Sequence, residues 1–461
     1  MPHFIVKMTR FICRPFQVTL AHTDTALRMA RLLALSPPKV QQPRTANAIL
    51  FSPNPPFKFL ENRSKGDVIR ARPTSLTVRE TQVTTSSDQA KGVLFLTGTR
   101  ADFGKLEPLA VATRDAGFDV SFFITGMHML ERYGRTKIEV HRMPGVTKHE
   151  FLNQRPGDPQ DIVLAKTVTG FSDYVTETRP DLVVVHGDRI EALAGALVAA
   201  TNYIPCAHIE GGEVSGTIDE IYRHCNTKLA SHHFVSSEDA KRRAMAMGES
   251  EGAIHVIGSP ELDFHAGASG VTLDDVKARY DIAFDDFGLV TFHPVTSEQA
   301  TMGAQAQDLF DALEASGRNF IVIAPNNDPG SDDIFAVLDR LPAERFRQFP
   351  SMRFNHFSEM MKNAACMVGN SSAGVREAPF LGLPSLDIGT RQTNRAQSGS
   401  VFNCAANDRA SIDAFLAKEW GHRHVPHTGF GEGRAAERFV ETLQEASFWT
   451  QGLQKAFHDL T

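Results

Sequence analysis

The stretch His208-Ile-Glu-Gly-Gly-Glu-Val-Ser-Gly-Thr-Ile-Asp-Glu-Ile-Tyr-Arg-His-Cys-Asn-Thr-Lys228 sets four carboxylates, two histidines and three glycines within twenty-one residues, directly after the apolar run ending Ile204-Pro-Cys-Ala207. Carboxylates held close together repel and raise one another's pKa, which lets one site hold an acid and a base near neutral pH. Read that way, the segment is a proton-transfer centre. A plainer reading also fits: a solvated turn and then a helix start, with Asp219 and Glu220 in the first turn and Arg223 one turn beyond Asp219. Glu210, Glu213 and Asp219, joined by Asp188 and His293 from two other strand ends, are the candidate acid, base and charge-stabilising groups.

A second cluster suits a different task. Gly369-Asn-Ser-Ser-Ala-Gly374 precedes the helical Val375-Arg-Glu-Ala378, so backbone N–H groups and two hydroxyls gather at a helix start, an arrangement that cradles phosphate. A glycine-serine turn alone is usually only a turn. Here Arg100, Arg189, Arg391 and Arg395 all follow strand-like runs, and guanidinium forks suit paired phosphates, so a diphosphate ligand fits best. Glu377, about one turn past the cradle, is placed to accept from a ribose diol or else to pair with Arg376. Neither a dinucleotide fingerprint nor a Walker loop is present, so the nucleotide reads as substrate and not as energy source. A metal site from His208, Glu213 and His224 matches no standard ligand spacing, and no metal is expected in the site.

These clusters need a frame. From Gly92 onward a short apolar run, a polar cluster and a helical pattern recur: Val93–Leu96 before Thr97–Gly104, Leu182–Val185 before His186–Arg189, Gly288–Phe292 before His293-Pro294, Phe320–Ala324 before Pro325–Gly330, and Cys366–Val368 before Gly369–Gly374. Alternating strands and helices predict parallel α/β sheets, whose ligands bind beyond the carboxyl ends of the strands. A Gly-Ser-Pro break at 258–260 divides the pattern into two Rossmann-like lobes, 91–258 with the carboxylates and 259–430 with the cradle. Residues 431–461 follow as one or two amphipathic helices, with Ala435, Phe439, Leu443 and Phe448 on a stripe that can return to the first lobe.

Composition bounds the alternatives. At 461 residues, 42% hydrophobic and 22% charged, the chain has ordinary globular proportions, and no apolar run nears the roughly 18 residues of a membrane span. Five cysteines without close pairing fit a reducing compartment, and the cytoplasm is expected. A net charge of −6 argues against nucleic acid. Residues 1–90 differ, with thirteen Lys and Arg against five Asp and Glu and nine of the 24 prolines. That composition reads as poorly ordered, either a transit-like segment or an upstream extension without a folded role, the second being favoured.

Taken together, Gly98-Thr-Arg-Ala-Asp-Phe-Gly104, His186-Gly-Asp-Arg189, the 208–220 segment, Arg223-His224, Thr227-Lys-Leu229, Phe292-His-Pro294, Asn370-Ser-Ser-Ala-Gly-Val-Arg-Glu377 and Gly389-Thr-Arg-Gln392 resemble the hydrolysing UDP-N-acetylglucosamine 2-epimerases. The match runs in order over roughly residues 92 to 430 and is similar both to bacterial sialic-acid-pathway enzymes and to the epimerase half of the animal bifunctional enzyme, whose kinase half has no counterpart here.

The resemblance implies a fold like that of GT-B glycosyltransferases, with a UDP-sugar between two facing lobes. It also implies elimination of UDP to a glycal and then hydration to free N-acetylmannosamine, without redox cofactor or metal. Asp188, Glu213 and Asp219 correspond to the proton-transfer groups, with Glu210 and His293 next. Arg100, Ser371, Ser372, Glu377 and Arg391 would hold UDP, and Asp102, Arg189, Arg223, His224 and Asn326 complete the UDP-sugar set. The family suggests a homodimer or larger assembly. Open alternatives are a UDP-diacetamido-trideoxy sugar as substrate, the non-hydrolysing branch, a glycosyltransferase, and a UDP-sugar sensor without turnover. Deleting residues 1–88 is expected to leave soluble expression and turnover unchanged; loss of soluble protein on truncation would refute the reading of that segment.

Overall fold

The computed structural model describes residues 90–215, 218–395 and 398–459. The basic segment 1–90 thus lies, but for its last residue, outside the described residues. Two parallel sheets dominate. The first has seven strands, β1 (Gly92–Thr97), β2 (Asp119–Ile124), β3 (Thr147–Glu150), β4 (Leu182–His186), β5 (Cys206–Ile209), β6 (His232–Val235) and β7 (Ile254–Val256), in the order β3-β2-β1-β4-β5-β6-β7. The second has six, β8 (Gly288–Thr291), β9 (Phe320–Ile323), β10 (Phe346–Phe349), β11 (Met367–Gly369), β12 (Ser385–Ile388) and β13 (Val401–Cys404), in the order β10-β9-β8-β11-β12-β13. This is the two-lobed α/β architecture expected from the repeated strand, cluster and helix pattern.

Period-two alternation explains why these runs are apolar throughout. In β1 and β4, Val93, Phe95, Leu182 and Val184 enter one core with Leu106 and Leu109 of the helix Arg100–Asp115. Their neighbours Leu94, Leu96, Val183 and Val185 enter another core, with Phe171 of the helix Gln160–Thr178 and Ala196 of the helix Ile190–Thr201. Strands covered on both faces cannot alternate apolar with polar. The second sheet repeats the device, with Val290, Val322 and Val368 on one face and Leu289, Ile321 and Met367 on the other.

The strand order decides where a ligand can sit. In the first sheet the sequence order reverses between β1 and β4, and in the second between β8 and β11. Loops leaving adjacent strands at such a switch point diverge to opposite faces and open a crevice. The loops concerned carry Thr99, Asp188, His293 and Ser371. β11 crosses close to β8: a Cβ on Gly369, at φ +130°, would lie 2.1 Å from the Thr291 carbonyl oxygen, so a side chain there would push the cradle off its strand.

The chain passes between lobes twice. At the crossing Gly258 (φ +90°) and Gly431 (φ +120°) stand back to back, a Cβ on Gly431 falling 2.8 Å from the Gly258 Cα, and Ser259 N donates to Phe430 O at 2.7 Å. Beyond it the helix Ala435–Gln444 lies on the first lobe, where Phe439 is fully buried against Phe234 (ring centroids 4.6 Å) and Phe95 (6.5 Å). The apolar stripe continues past this helix without a second α-helix. Trp449 Nε1 donates to the Leu443 carbonyl at 2.7 Å, Phe448 stacks on His232 at 3.9 Å, and among the described residues only the short 3-10 turn Phe448–Thr450 follows. The tail then runs back with Lys455 donating to the carbonyls of Thr227, Lys228 and Ala230. No helix among the described residues is long and apolar enough to cross a membrane.

Removing a fully buried aromatic leaves a cavity worth about 3–5 kcal/mol. Phe439→Ala is therefore expected to destabilise the first lobe by about that amount, seen as a lower urea midpoint followed by near-ultraviolet circular dichroism. A midpoint equal to that of the parent protein would contradict the packing described.

Candidate active site

Between the lobes lies a cleft of about 270 Å³ lined by strand-end loops of both sheets. From the first lobe come Arg100, Asp102 and Lys105 after β1, His186, Asp188 and Arg189 after β4, and Glu210, Asp219 and Arg223 after β5. From the second come His293 after β8, Asn326 after β9, Ser371, Ser372 and Glu377 after β11, and Arg391 and Arg395 after β12.

Arg223 organises the carboxylate side. One guanidinium nitrogen pairs with Asp188, and the other donates to the Glu210 carbonyl at 2.9 Å. Glu210 itself sits at φ +62°, a left-handed conformation that costs a non-glycine residue on the order of 1 kcal/mol and persists only when its surroundings dictate it. Here both neighbours are fixed: Glu210 N donates to Phe234 O at 2.8 Å, and its carbonyl is held by Arg223.

The Glu210 side chain meets a buried set of charges. Arg376, with a fully buried side chain, pairs with Glu210, stands 3.2 Å from Glu213 and 3.6 Å from Glu261, and comes from the second lobe. Lys105 adds contacts of 3.0 Å to Glu210 and 3.3 Å to Glu261, and His186 Nε2 lies 3.2 Å from Glu210. Burial would raise every one of these acids. For Glu210 the Arg376 and Lys105 charges win and hold it well below the usual carboxylate range, and Glu213 is lowered by Arg376 and Arg395 in the same way. Glu261 goes the other way, raised by burial and by the Glu210 charge, and neither of its oxygens accepts a hydrogen bond.

Asp188 and Asp219 separate similarly. Burial opposes ionisation of Asp188, yet Arg223, Arg395 and His186 outweigh it and keep the acid below its ordinary value. Asp219 is pushed up to about 6 by burial and by the charges of Asp188 and Asp328, with Arg391, 3.9 Å away, opposing. One cleft thus holds an acid fixed as carboxylate beside one that titrates near neutrality, the division of labour that acid–base chemistry needs.

The opposite wall gathers positive charge and hydrogen-bond donors. Asn370 ties the loops together, accepting from His293 N at 2.7 Å and donating to His293 O at 2.8 Å, while its own carbonyl accepts from Gln392 at 2.8 Å and Arg391 at 3.3 Å. Asn326 N donates to His293 Nδ1 at 3.1 Å, which leaves the ring proton on Nε2; burial and Arg391 push this histidine down to about 3, so it is a neutral donor. Arg100 Nη2, Arg391 Nε and Arg395 Nε are buried donors without a hydrogen-bond partner. Burial and the nearby Arg376 and Arg223 bring Arg395 down to about 9, an unfavourable concentration of positive charge that an anion would relieve. Glu377 is fixed by His265, whose Nε2 lies 2.7 Å from the carboxylate and whose Nδ1 lies 2.8 Å from Ser358 Oγ.

The sequence profile described as UDP-N-acetylglucosamine 2-epimerase matches residues 111–444. This chain belongs to that family. A UDP-N-acetylglucosamine 2-epimerase of Neisseria meningitidis serogroup B is 43% identical over 374 residues, 80% of this chain and 99% of its own length. A Legionella pneumophila UDP-N,N'-diacetylbacillosamine 2-epimerase (hydrolyzing) is 30% identical over 371 residues, 79% of this chain and 98% of its own length. The crystal structure of the Methanocaldococcus jannaschii UDP-GlcNAc 2-epimerase, in complex with UDP-GlcNAc and UDP, matches with a TM-score of 0.65 at 22% identity, over 76% of this chain and 99% of that one, which establishes the shared fold.

Within this epimerase-family cleft, thirteen of the fifteen candidate residues are lining residues; Glu213 and His224 are not. Gly211 and Gly212 turn the chain after Glu210, so Glu213 ends on the far side of Arg376, bonded to Ser236 and facing a separate cavity. His224 is five residues beyond Asp219 and therefore off the face that Asp219 and Arg223 share; its side chain is 42% exposed, 3.9 Å from Glu220. The two and His208, which contacts Gly187 O and Thr227, do not converge on a metal position. Asp102 borders the cleft, but its carboxylate is occupied by Thr97 Oγ1, Gly98 N and Thr99 N in a capping box. Arg189 spans the lobes to Asp328 (3.0 Å) and Asn327 (2.8 Å). Glu377 pairs with His265 and not with Arg376. Lys105 and His186 line the cleft without having been candidates, Arg395 joins it as one of the arginines expected at a diphosphate, and Arg376 anchors it from behind. Lys105 stands one helical turn after Ala101, a spacing that could have drawn notice once Arg100 and Asp102 did.

Removing one partner of a buried ion pair leaves the others uncompensated, at about 3–5 kcal/mol. Arg376→Ala is expected to lower stability by that order in urea unfolding, whereas Arg409→Ala, which breaks an exposed pair with Asp413, is expected to change it by less than about 1 kcal/mol. Equal effects would remove the case for Arg376 as the central contact.

Proposed function

We propose that the chain hydrolyses UDP-N-acetylglucosamine with inversion at C2, releasing N-acetylmannosamine and UDP. The observation that carries this reading is the pair Asp188 and Asp219, one held ionised and one brought to about 6, on a wall opposite unpartnered buried arginine donors. In the proposed sequence Asp219 as carboxylate takes the C2 proton while the bond from C1 to the diphosphate oxygen breaks, giving a glycal and UDP. Water then bonds through its oxygen to C1 and gives up one proton to the acids of the cleft. C2 takes a proton on its other face, and the proton held by Asp219 passes to solvent as UDP leaves. Asp188 and Glu210 stay ionised and stabilise positive charge developing at C1. His293 Nε2–H and the arginines Arg100, Arg391 and Arg395 take the charge growing on the leaving diphosphate, Ser371 and Ser372 offer the cradle, and Glu377 receives the ribose. Proton transfer is thereby assigned to the lobe 91–258 and nucleotide binding mainly to the lobe 259–430, with 431–461 supporting the first.

The 43% relative supports the UDP-N-acetylglucosamine reading over a diacetamido sugar, which the name of the 30% relative supports as the second reading. The four described cysteines, all unpaired, fit a reducing cytoplasm. Assembly as a homodimer or larger belongs to the same proposal and rests on the family resemblance.

The experiment is NMR of the protein with UDP-N-acetylglucosamine alone in deuterated water. Free N-acetylmannosamine carrying deuterium at C2, with one UDP per sugar, is the expected result. Epimerised sugar still joined to UDP would move the chain to the non-hydrolysing branch, and no change would shift attention to 4-amino-modified UDP-sugars.

Two predictions concern the acids. With Asp219 as base, kcat should fall as pH drops through about 6, because protonation removes the acceptor; a fall on raising the pH through 6 would make it the acid instead. Asp188→Asn and Asp219→Asn should each cut kcat by about 10²–10⁴ while UDP affinity, measured by calorimetry, stays within a few-fold. Near-normal turnover in both would take these residues out of the mechanism.

A further inference from the structure

The second lobe holds a donor cluster that the proposed reaction does not use. Glu419, His422 and His424 bring one ligand atom each to within 4.8 Å of one another, and none of the three lines the cleft. They occupy the turn that follows the helix Arg409–Lys418. That turn is tied down at successive residues: Gly421 N donates to Ala365 O at 3.0 Å, His422 N to Glu419 O at 3.0 Å, the Arg423 guanidinium to the carbonyls of Lys362 and Ala364 at 2.9 and 2.8 Å, and His424 N to Gly382 O at 2.8 Å. Gly421 at φ +74° lets the chain reverse so tightly. The donors therefore ride on fixed backbone.

Their burial is graded in a useful way. The Glu419 carboxylate is only 5% exposed and already 2.9 Å from His424 Nε2, while His422 stands at the open side. Lys418, 3.7 Å from the other face of that carboxylate, is 82% exposed and free to swing aside. Two imidazoles and one carboxylate form a donor set that suits zinc and its neighbours, with a solvent molecule completing a tetrahedron. Bonds of about 2.0–2.2 Å put tetrahedral ligand atoms about 3.4 Å apart, so the Glu419–His424 pair must open by about half an ångström and His422 must close in. His422 is the ligand with rotamer freedom to do so.

We infer that Glu419, His422 and His424 form a binding site for a divalent transition-metal ion of the zinc type, which clips the end of the helix Arg409–Lys418 to the loop leading back toward the first lobe. The ion's place is structural: it joins backbone anchored at Ala365 and Gly382 and reaches no residue of the cleft.

The test uses tag-free full-length protein, stripped with chelator and titrated with Zn²⁺ by calorimetry and with Co²⁺ by visible absorption. One equivalent is expected to bind, with a Co²⁺ band of low coordination number and a thermal midpoint raised by about 5 °C at roughly 100 times Kd. His422→Ala, at an exposed position, should keep the metal-free midpoint but weaken binding at least tenfold and abolish the shift; His424→Gln should do the same. Absence of a bound equivalent, or equal binding by the parent protein and both variants, would overturn the assignment.

Discussion

Arg376 is the contact on which the rest of the site depends. Its guanidinium belongs to the second lobe, yet it pairs with Glu210 and lies against Glu213 of the first, approaches Ser259 Oγ on the first crossover to 3.4 Å and covers the Phe430 ring on the second at 5.3 Å. A fully buried cation is tolerable only among compensating charges, and a pair buried this deeply adds more to specificity of arrangement than to raw stability. Because the compensating charges come from the other lobe, the requirement to neutralise Arg376 is a requirement that the lobes meet in this register. The helix start at Ser371 and Ser372 lies only a few residues before Arg376, so the same requirement sets its distance from the carboxylates.

The electrostatic pattern in the cleft follows from who is paired. Glu210 and Asp188 each have a cation committed to them, Arg376 and Arg223, and both are lowered despite burial. Asp219 has Arg391 at 3.9 Å and two carboxylates acting against it, and it rises to about 6. Arg189, the other cation close to Asp219, is drawn to Asp328 and Asn327 across the cleft. Asp219 rises because burial and the charges of Asp188 and Asp328 act on it together, and Arg189, held at Asp328 and Asn327, opposes them only in part.

Much of this was legible in the residues. Each polar cluster that followed an apolar run proved to be a strand-end loop, because strands covered on both faces leave only their ends for chemistry, and Asp188, Glu210, Asp219, His293, Ser371 and Arg391 reached one cleft for that reason. What local pattern could not supply was side-chain direction after a turn and partnership across the lobes. Glu210 and Glu213 look equivalent in Glu-Gly-Gly-Glu; only the left-handed backbone at Glu210 and the turn at Gly212 send one into the cleft and the other behind Arg376. His224, expected among the UDP-sugar residues, falls off the cleft by helical phase, since Arg223 holds the inward face. Lys105 and Arg376 were invisible as a pair, being 271 positions apart and joined only through Glu210 and Glu261.

The same geometry holds each side of the site in place. The site is over-determined within each lobe: Glu210 is held in a strained conformation by bonds at both its N–H and its carbonyl, and Asn370 locks the His293 loop through both of its amide atoms. Strain of this kind survives only where neighbours do not move. The two crossovers touch through glycines at Gly258 and Gly431, whose positive φ values and missing side chains let the two backbones approach this closely. That close approach lies next to Arg376, so the crossovers and the buried charges together fix how the two lobes meet.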